Sequence, residues 1–170
     1  MVDQDVNIRR VTPAEAEAFR ALRLEALHDH PADFGSDWES ERDLPLAHFA
    51  AQLADNHVMG AFIGGELAGL VCLLFHPKVK ERHRAYIWGV YVSPRGRGRG
   101  VAGPLLDAAL AVAFERVSQV ELNVRVGNAA AERLYLSRGF VACGGIPGIH
   151  LVDGVLYDDT LMVLRREGVG

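Results

Sequence analysis

Apolar and polar positions along this chain follow two rhythms, and the switches between them outline its elements. Val6 to Val11 alternates with the period of a short strand. Thr12-Pro13-Ala14-Glu15 then places N-cap, N1 proline and N3 glutamate in capping-box order, which predicts a helix to about His28. Pro31 to Arg42 is broken by Pro, Gly and Ser and reads as loop; Pro45 to Asp55 predicts a second, short helix. Val58 to Gly64 and Glu66 to Phe75 are apolar runs joined at Gly64-Gly65, the signature of a hairpin. The charged run Lys78 to Arg84 is a solvated turn into the strand Ala85 to Val92, which Pro94 ends. From Gly100 on, Val101, Leu105, Ala109, Val112 and Ala113 recur at helical spacing, with Pro104 in the first turn where a missing N–H costs little. A strand (Val120 to Val126), a helix (Ala129 to Arg138) and two strands (Phe140 to Cys143, Val155 to Leu164) follow.

The order β-α-α-β-β-β-α-β-α-β-β predicts an α/β fold: a mixed central sheet of about seven strands with helices on both faces, residues 1–170 forming one domain. A chain of 170 residues buries about 70% of its unfolded surface, enough for one core. It has no run of 18 uncharged apolar residues, and Met1 to Arg10 carries Asp3, Asp5, Arg9 and Arg10 where a secretion signal needs an apolar stretch. A soluble cytoplasmic protein without membrane association is expected. Cys72 and Cys143 lie 71 residues apart in apolar surroundings, with no CxxC pair; neither a disulfide framework nor a thiolate metal site is expected. A formal charge of -4 opposes general nucleic-acid binding, because neutralising phosphates needs excess Lys and Arg. The basic charge is local instead, with Arg95, Arg97 and Arg99 interleaved with glycines.

That interleaved segment, Ser93-Pro94-Arg95-Gly96-Arg97-Gly98-Arg99-Gly100-Val101-Ala102, lies between a predicted strand and a predicted helix. A helix start leaves amides unpaired, and glycines clear the side chains that would keep an anion away. The segment is therefore a candidate phosphate cradle, with Arg97 and Arg99 adding full charges. No Lys follows the glycines as in a P-loop, and the dinucleotide pattern fails in its surrounding strand order. A plain surface turn or an Arg-Gly nucleic-acid patch are the competing readings, and the anion site is preferred over both.

The string Trp88-Gly89-Val90-Tyr91-Val92-Ser93-Pro94-x-x-Arg97-Gly98-Arg99-Gly100-Val101-Ala102 resembles the strand-turn-helix of the GNAT superfamily of acyl-CoA-dependent N-acyltransferases. Arg97, Gly100 and Ala102 fill its core pattern [Q/R]-x-x-G-x-[G/A]; a second register beginning at Arg95 also fits but loses the proline spacing. Farther on, Asn128-Ala129-Ala130-Ala131 and Leu134-Tyr135-Leu136-Ser137-Arg138-Gly139-Phe140 are similar to the family's N-x-x-A and LYxxxGF element. Val152-Asp153-Gly154-x-x-Tyr157-Asp158-Asp159 is similar to its last hairpin.

The resemblance implies acetyl transfer from acetyl-CoA to a primary amine of a small molecule or peptide, by direct attack on the thioester and without a metal. It implies a diphosphate on the amides of Arg97, Gly98, Arg99, Gly100, Val101 and Ala102, and a pantetheine arm along the backbone of Val90, Tyr91 and Val92. It also makes the Val90 N–H the oxyanion donor, Asn128 a second pantetheine contact, and Tyr135 both a cofactor contact and the general acid. The expectation for Tyr135 is that a phenol of ordinary pKa about 10 gives its proton to a thiolate whose conjugate acid is near 8.5. The family's usual carboxylate or histidine on the fourth strand is missing: Tyr86 and Trp88 stand there instead. Glu121 across the gap is the candidate base, with water or His150 in the last loop as alternatives. Glu25 to Asp43 carries seven acids against Arg42 and reads either as a solvated face or as an acidic wall steering a cationic amine. A non-catalytic acyl-CoA sensor is the alternative function; a monomer or homodimer is expected.

Overall fold

The computed structural model describes residues 5–166. Seven strands form one sheet in the order β1-β2-β3-β4-β5-β7-β6: β1 (Val6–Arg10), β2 (His57–Ile63), β3 (Glu66–Phe75), β4 (Arg84–Val92), β5 (Gln119–Arg125), β6 (Val141–Val152) and β7 (Val155–Arg165). Neighbours are antiparallel except β4 and β5. The parallel pair needs a crossover, and α4 (Ala102–Phe114) supplies it.

Helices cover both faces, as the element order predicts. On one face α1 (Ala16–Asp29) and α3 (Leu46–Asp55) bury Phe19, Leu22, Phe49 and Leu53 against Val58, Leu70 and Cys72. On the other, Leu105, Leu106 and Ala109 of α4 and Tyr135 of α5 (Ala129–Ser137) pack with Val71, Ile87, Leu122 and Met162. The fully buried Val58 and Val71 make the two-sided burial of the central strands visible in sequence as near-continuous apolar runs.

Four expectations are corrected. The capping box is present, with the Thr12 N–H donating to Glu15 Oε2 at 2.9 Å, but it opens a single 3-10 turn (Pro13–Glu15) before α1. The segment 31–42 contains one short helix, α2 (Trp38–Glu41), because Asp37 caps it by accepting the Ser40 N–H at 2.7 Å. Strand β6 runs on to Val152 instead of stopping at Cys143, so His150 is a strand residue and not a loop residue. Its glycines and Pro147 look like breakers, but an edge strand tolerates them through bulges. Cys143 on that strand is exposed, whereas Cys72 is buried.

Two features of β4 shape the rest. Only Arg84, Ala85 and Tyr86 pair with β5, opposite Gln119, Val120 and Glu121; past Tyr86 the strands diverge. On the β3 side, Trp88 pairs with Cys72 and Tyr91 with Leu70, so Gly89 and Val90 together face one residue, Val71. This bulge needs its glycine: Gly89 has φ +65°, and a Cβ there would lie 3.3 Å from the Cys72 sulfur.

Candidate active site

The divergence of β4 and β5 opens a cleft of about 750 Å³. Val90, Tyr91 and Val92 line it from β4, Asn128 and Tyr135 from α5 and its start, and Arg97 and Ala102 from the glycine-rich turn. Those seven expected site residues converge there. Gly98, Gly100 and Val101 line an adjoining cavity of about 450 Å³, which shares Val92, Arg97, Ala102, Leu134 and Arg138 with the first. Arg99 is exposed and lines neither.

Strand alternation gives the cleft its donors. The Ser93 N–H reaches back to Ala68 O at 2.8 Å, toward β3. Two-residue alternation then turns the Val92 amide the other way, onto the edge that β5 has left unpaired, and the bulge sets Val90 beside that same edge. Such an edge in a hydrogen-bonded sheet is a template for an extended partner. Arg97 Nε donates to Val92 O at 3.2 Å, folding the turn over the end of that edge. Gly98 and Gly100 both sit at left-handed φ, +75° and +66°, and a Cβ on either would meet nothing within 4 Å. Their requirement is conformational, and the space above them is open. Helix α4 then begins at Ala102 with its first amides facing this turn.

Asn128 caps α5 by accepting the Ala131 N–H at 3.3 Å. Tyr135, one helix face further, is 5% exposed and meets Phe140 edge-on at 5.8 Å. Burial, with smaller contributions from Tyr86 and Asp33, pushes its phenol well above the ordinary value. Burial weighs against the expected proton donation. Transfer from a phenol at about 10 to a thiolate near 8.5 is already uphill, and burial makes it more so. Tyr135 is suited to donate a hydrogen bond, not to give up its proton outright.

Glu121 does not join the cleft. Its carboxylate, 8% exposed, is ion-paired with Arg84 and lies 3.4 Å from His76 Nε2. Burial works to raise it, and the hydrogen bonds from Arg84 and Gln119 overcome that and hold it below the ordinary carboxylate range. A carboxylate so paired is a poor base. Tyr86 lines the cleft, its phenol raised by burial and by Asp159. Trp88 stacks under the Arg23 guanidinium at 5.0 Å. Asp159, His30 and Arg125, which the sequence reading did not assign to the site, line the cleft together with Asp33 of the expected acidic wall and His150. Asp33 is ion-paired with Arg125; Asp159 Oδ2 lies 3.6 Å from His150 Nε2.

The acids of the expected wall are largely engaged by other partners. Glu41 is 6% exposed and bound by Arg23, Glu25 accepts the Tyr91 hydroxyl at 2.9 Å, and Asp37 caps α2. Of the seven acids, Asp33 reaches the cleft.

Residues 23–140 match the acetyltransferase (GNAT) family model, more than two thirds of the chain. The chain belongs to this family, and its enzyme class is that of an acyl-CoA-dependent N-acyltransferase. Among solved structures it is similar to the acetyltransferase of the GNAT family from Streptococcus pneumoniae, with 23% identity, TM-score 0.83, and 95% of this chain and 99% of that one covered. Ribosomal-protein-alanine N-acetyltransferase from Brucella melitensis gives 26% identity and TM-score 0.83 over 94% and 99%. The Salmonella typhimurium protein yncA, solved with its cofactor acetyl-CoA, gives 22% and 0.83 over 98% of both chains. No described helix is long and apolar enough to cross a membrane.

Proposed function

We propose that this chain transfers an acetyl group from acetyl-CoA to the primary amine of a small molecule or peptide by direct attack, inside the cleft between β4 and β5. The observation that carries the reading is the unpaired edge of β4, which runs from the throat of the cleft straight into the glycine turn and the start of α4. The groups present fit an acyl-CoA. Amides of Val90 and Val92 suit the extended pantetheine, and open space over Gly98 and Gly100 suits a diphosphate.

Val90 would serve through its backbone N–H, stabilising negative charge that develops on the thioester oxygen, an effect typically worth about a hundredfold to a thousandfold. Its side chain packs with the core at the same time. Tyr135 would hold the departing sulfur with its hydroxyl. Asn128 stays committed to its cap while presenting the start of α5 to the cleft.

Acetyl-CoA offered with a set of primary amines (benzylamine, phenylethylamine, lysine and an alanine-headed tripeptide) tests the reading by release of free thiol. Thiol release dependent on one of these amines is expected. Release at the same rate without amine would show hydrolysis and overturn the acceptor class.

A further inference from the structure

The geometry points to His150 and Asp159 as the amine subsite of the cleft: Asp159 receives the acceptor as a cation and His150 takes its proton, so the substrate class is a cationic amine with an apolar body. The inference rests on the acyl-transfer reading above and adds the acceptor side to it.

The pair is assembled by an irregularity in the last hairpin. Ile146 pairs with Asp159 and His150 with Tyr157, so residues 147–149 of β6 face the single residue Asp158 of β7. In a regular ladder residue 148 would be the diagonal neighbour of Asp159; the two extra residues put His150 there. Gly148 absorbs the bend at φ +59°, and its N–H is pinned by Asp158 Oδ1 at 2.7 Å. The imidazole is also roofed. A Cβ added to Gly35, in the loop between α1 and α2, would lie 3.5 Å from His150 Cε1.

Charge arithmetic around the pair leaves one negative charge for a ligand. The charged and titratable groups that share the cleft with it include His30, in contact with Arg97, and Asp33 from the end of α1 and its loop, Tyr86 from β4, Arg125 from β5 and Arg133 from α5; Tyr157 of β7 pairs with His150, its ring 5.9 Å from the Arg125 guanidinium. Asp33 and Arg125 neutralise each other. Asp159 is 5% exposed, and its 3.6 Å separation from His150 is longer than a formed charge-assisted hydrogen bond. It retains acceptor capacity. Burial, and to a smaller extent Asp33, raise its carboxyl above the ordinary range against the opposing pull of His150 and Arg125. Phe34, Trp88 and Ile149 complete the wall and suit an alkyl or aryl body.

The step balances without another reactant. The ammonium gives one proton to a ring nitrogen of His150, which passes it to solvent. The freed nitrogen forms the C–N bond as the C–S bond breaks. Of the two protons the nitrogen loses, the second ends on the sulfur. Asp159 stabilises the imidazolium while it exists.

The test compares wild type, His150→Gln, His150→Ala, Asp159→Asn and Glu121→Gln on whichever amine of the set is turned over fastest, across pH 5.5 to 9. His150→Gln is expected to lose about a hundredfold or more in kcat/KM together with the acidic limb of the profile. Added imidazole should restore part of the activity of His150→Ala. Asp159→Asn should raise KM for the amine more than it lowers kcat, and Glu121→Gln should keep the acidic limb. Binding of acetyl-CoA, read by thermal shift, should hold in both His150 variants. Retention of the limb and of more than a tenth of the activity in His150→Gln overturns the inference alone; no turnover of any amine by wild type overturns the acceptor reading and the inference with it.

Discussion

Two residues at opposite ends of the reaction respond to different physics. Tyr135 has a buried hydroxyl whose proton is held more tightly than in water, so in the proposed reaction its contribution to the leaving sulfur would be a hydrogen bond to a charged group, worth about 1.5–3 kcal/mol. Tyr135→Phe keeps the ring against Phe140 and should lower kcat about tenfold to a hundredfold while acetyl-CoA affinity shifts by less than about 1.5 kcal/mol. Unchanged kcat with weakened acetyl-CoA binding would make it a packing and contact residue. Gly100 answers to conformation. At φ +66° a valine costs about 1–3 kcal/mol in backbone strain and projects a branched side chain into the space over the turn. Gly100→Val should abolish acetyl-CoA binding in calorimetry yet retain the fold by circular dichroism; full affinity would remove the turn from the site.

At the scale of elements, the loop that roofs the cleft is fastened from within. Arg23 on α1 makes two hydrogen bonds to Glu41 on α2, each 2.5 Å, and Ser36 adds a third to the same carboxylate at 2.6 Å. Both ions are under a tenth exposed. Burial works to raise the Glu41 carboxyl, and Arg23 and Ser36 overcome it, leaving it below the ordinary carboxylate range. The sign follows. A carboxyl lowered in the folded state contributes stability above its unfolded value of about 4.3, and that stability is lost as pH falls through the folded value. Glu41→Gln strands the Arg23 charge and should cost about 3–5 kcal/mol, read as a lower midpoint in urea at pH 7, with the difference from wild type shrinking below pH 4. A constant difference across that range would show that the pair is not what the pH acts on. Because Arg23 also stacks on Trp88, beside the Gly89 bulge, loosening this fastening disturbs the strand that carries the Val90 amide.

The molecule as a whole is two half-sheets, β1 to β4 and β5 to β7, joined at the sheet by three residue pairs. A ligand seated between β4 and α5 bridges the halves and binds only when both are folded. By mass action it stabilises by RT ln(1 + [L]/Kd), about 2.7 kcal/mol at a hundredfold excess over Kd. Acetyl-CoA at millimolar concentration should therefore raise Tm, and ATP or NAD, which share the phosphates but not the pantetheine arm, should raise it far less. An equal response to all three would reduce the cleft to a general anion site.

Local chemistry made the first half of this picture legible in the chain itself. The Gly64-Gly65 hairpin, the apolar face from Val101 to Ala113, the Asn128 cap and the Pro94 stop each depend on residues within a few positions of one another, where backbone sterics and capping act directly. The same locality let the glycine turn and the LYxxxGF segment carry the family resemblance. Periodicity, however, reports which face a residue occupies and not which residue it meets. Glu121 alternates correctly for a base facing the fourth strand, yet Arg84 and His76, 37 and 45 positions earlier, hold it out of the cleft. Glu41 looks like one more surface acid until Arg23 buries it. Asp33 meets Arg125 across 92 residues, and His150 reaches Asp159 through a bulge that its glycines and Pro147 disguised as a loop. The sequence by itself determined most of the elements and carried the family resemblance. Tertiary structure alone decided the charges within the cleft, because an ionisable group's role is set by how it is desolvated and paired, and both depend on chain segments brought together only by folding.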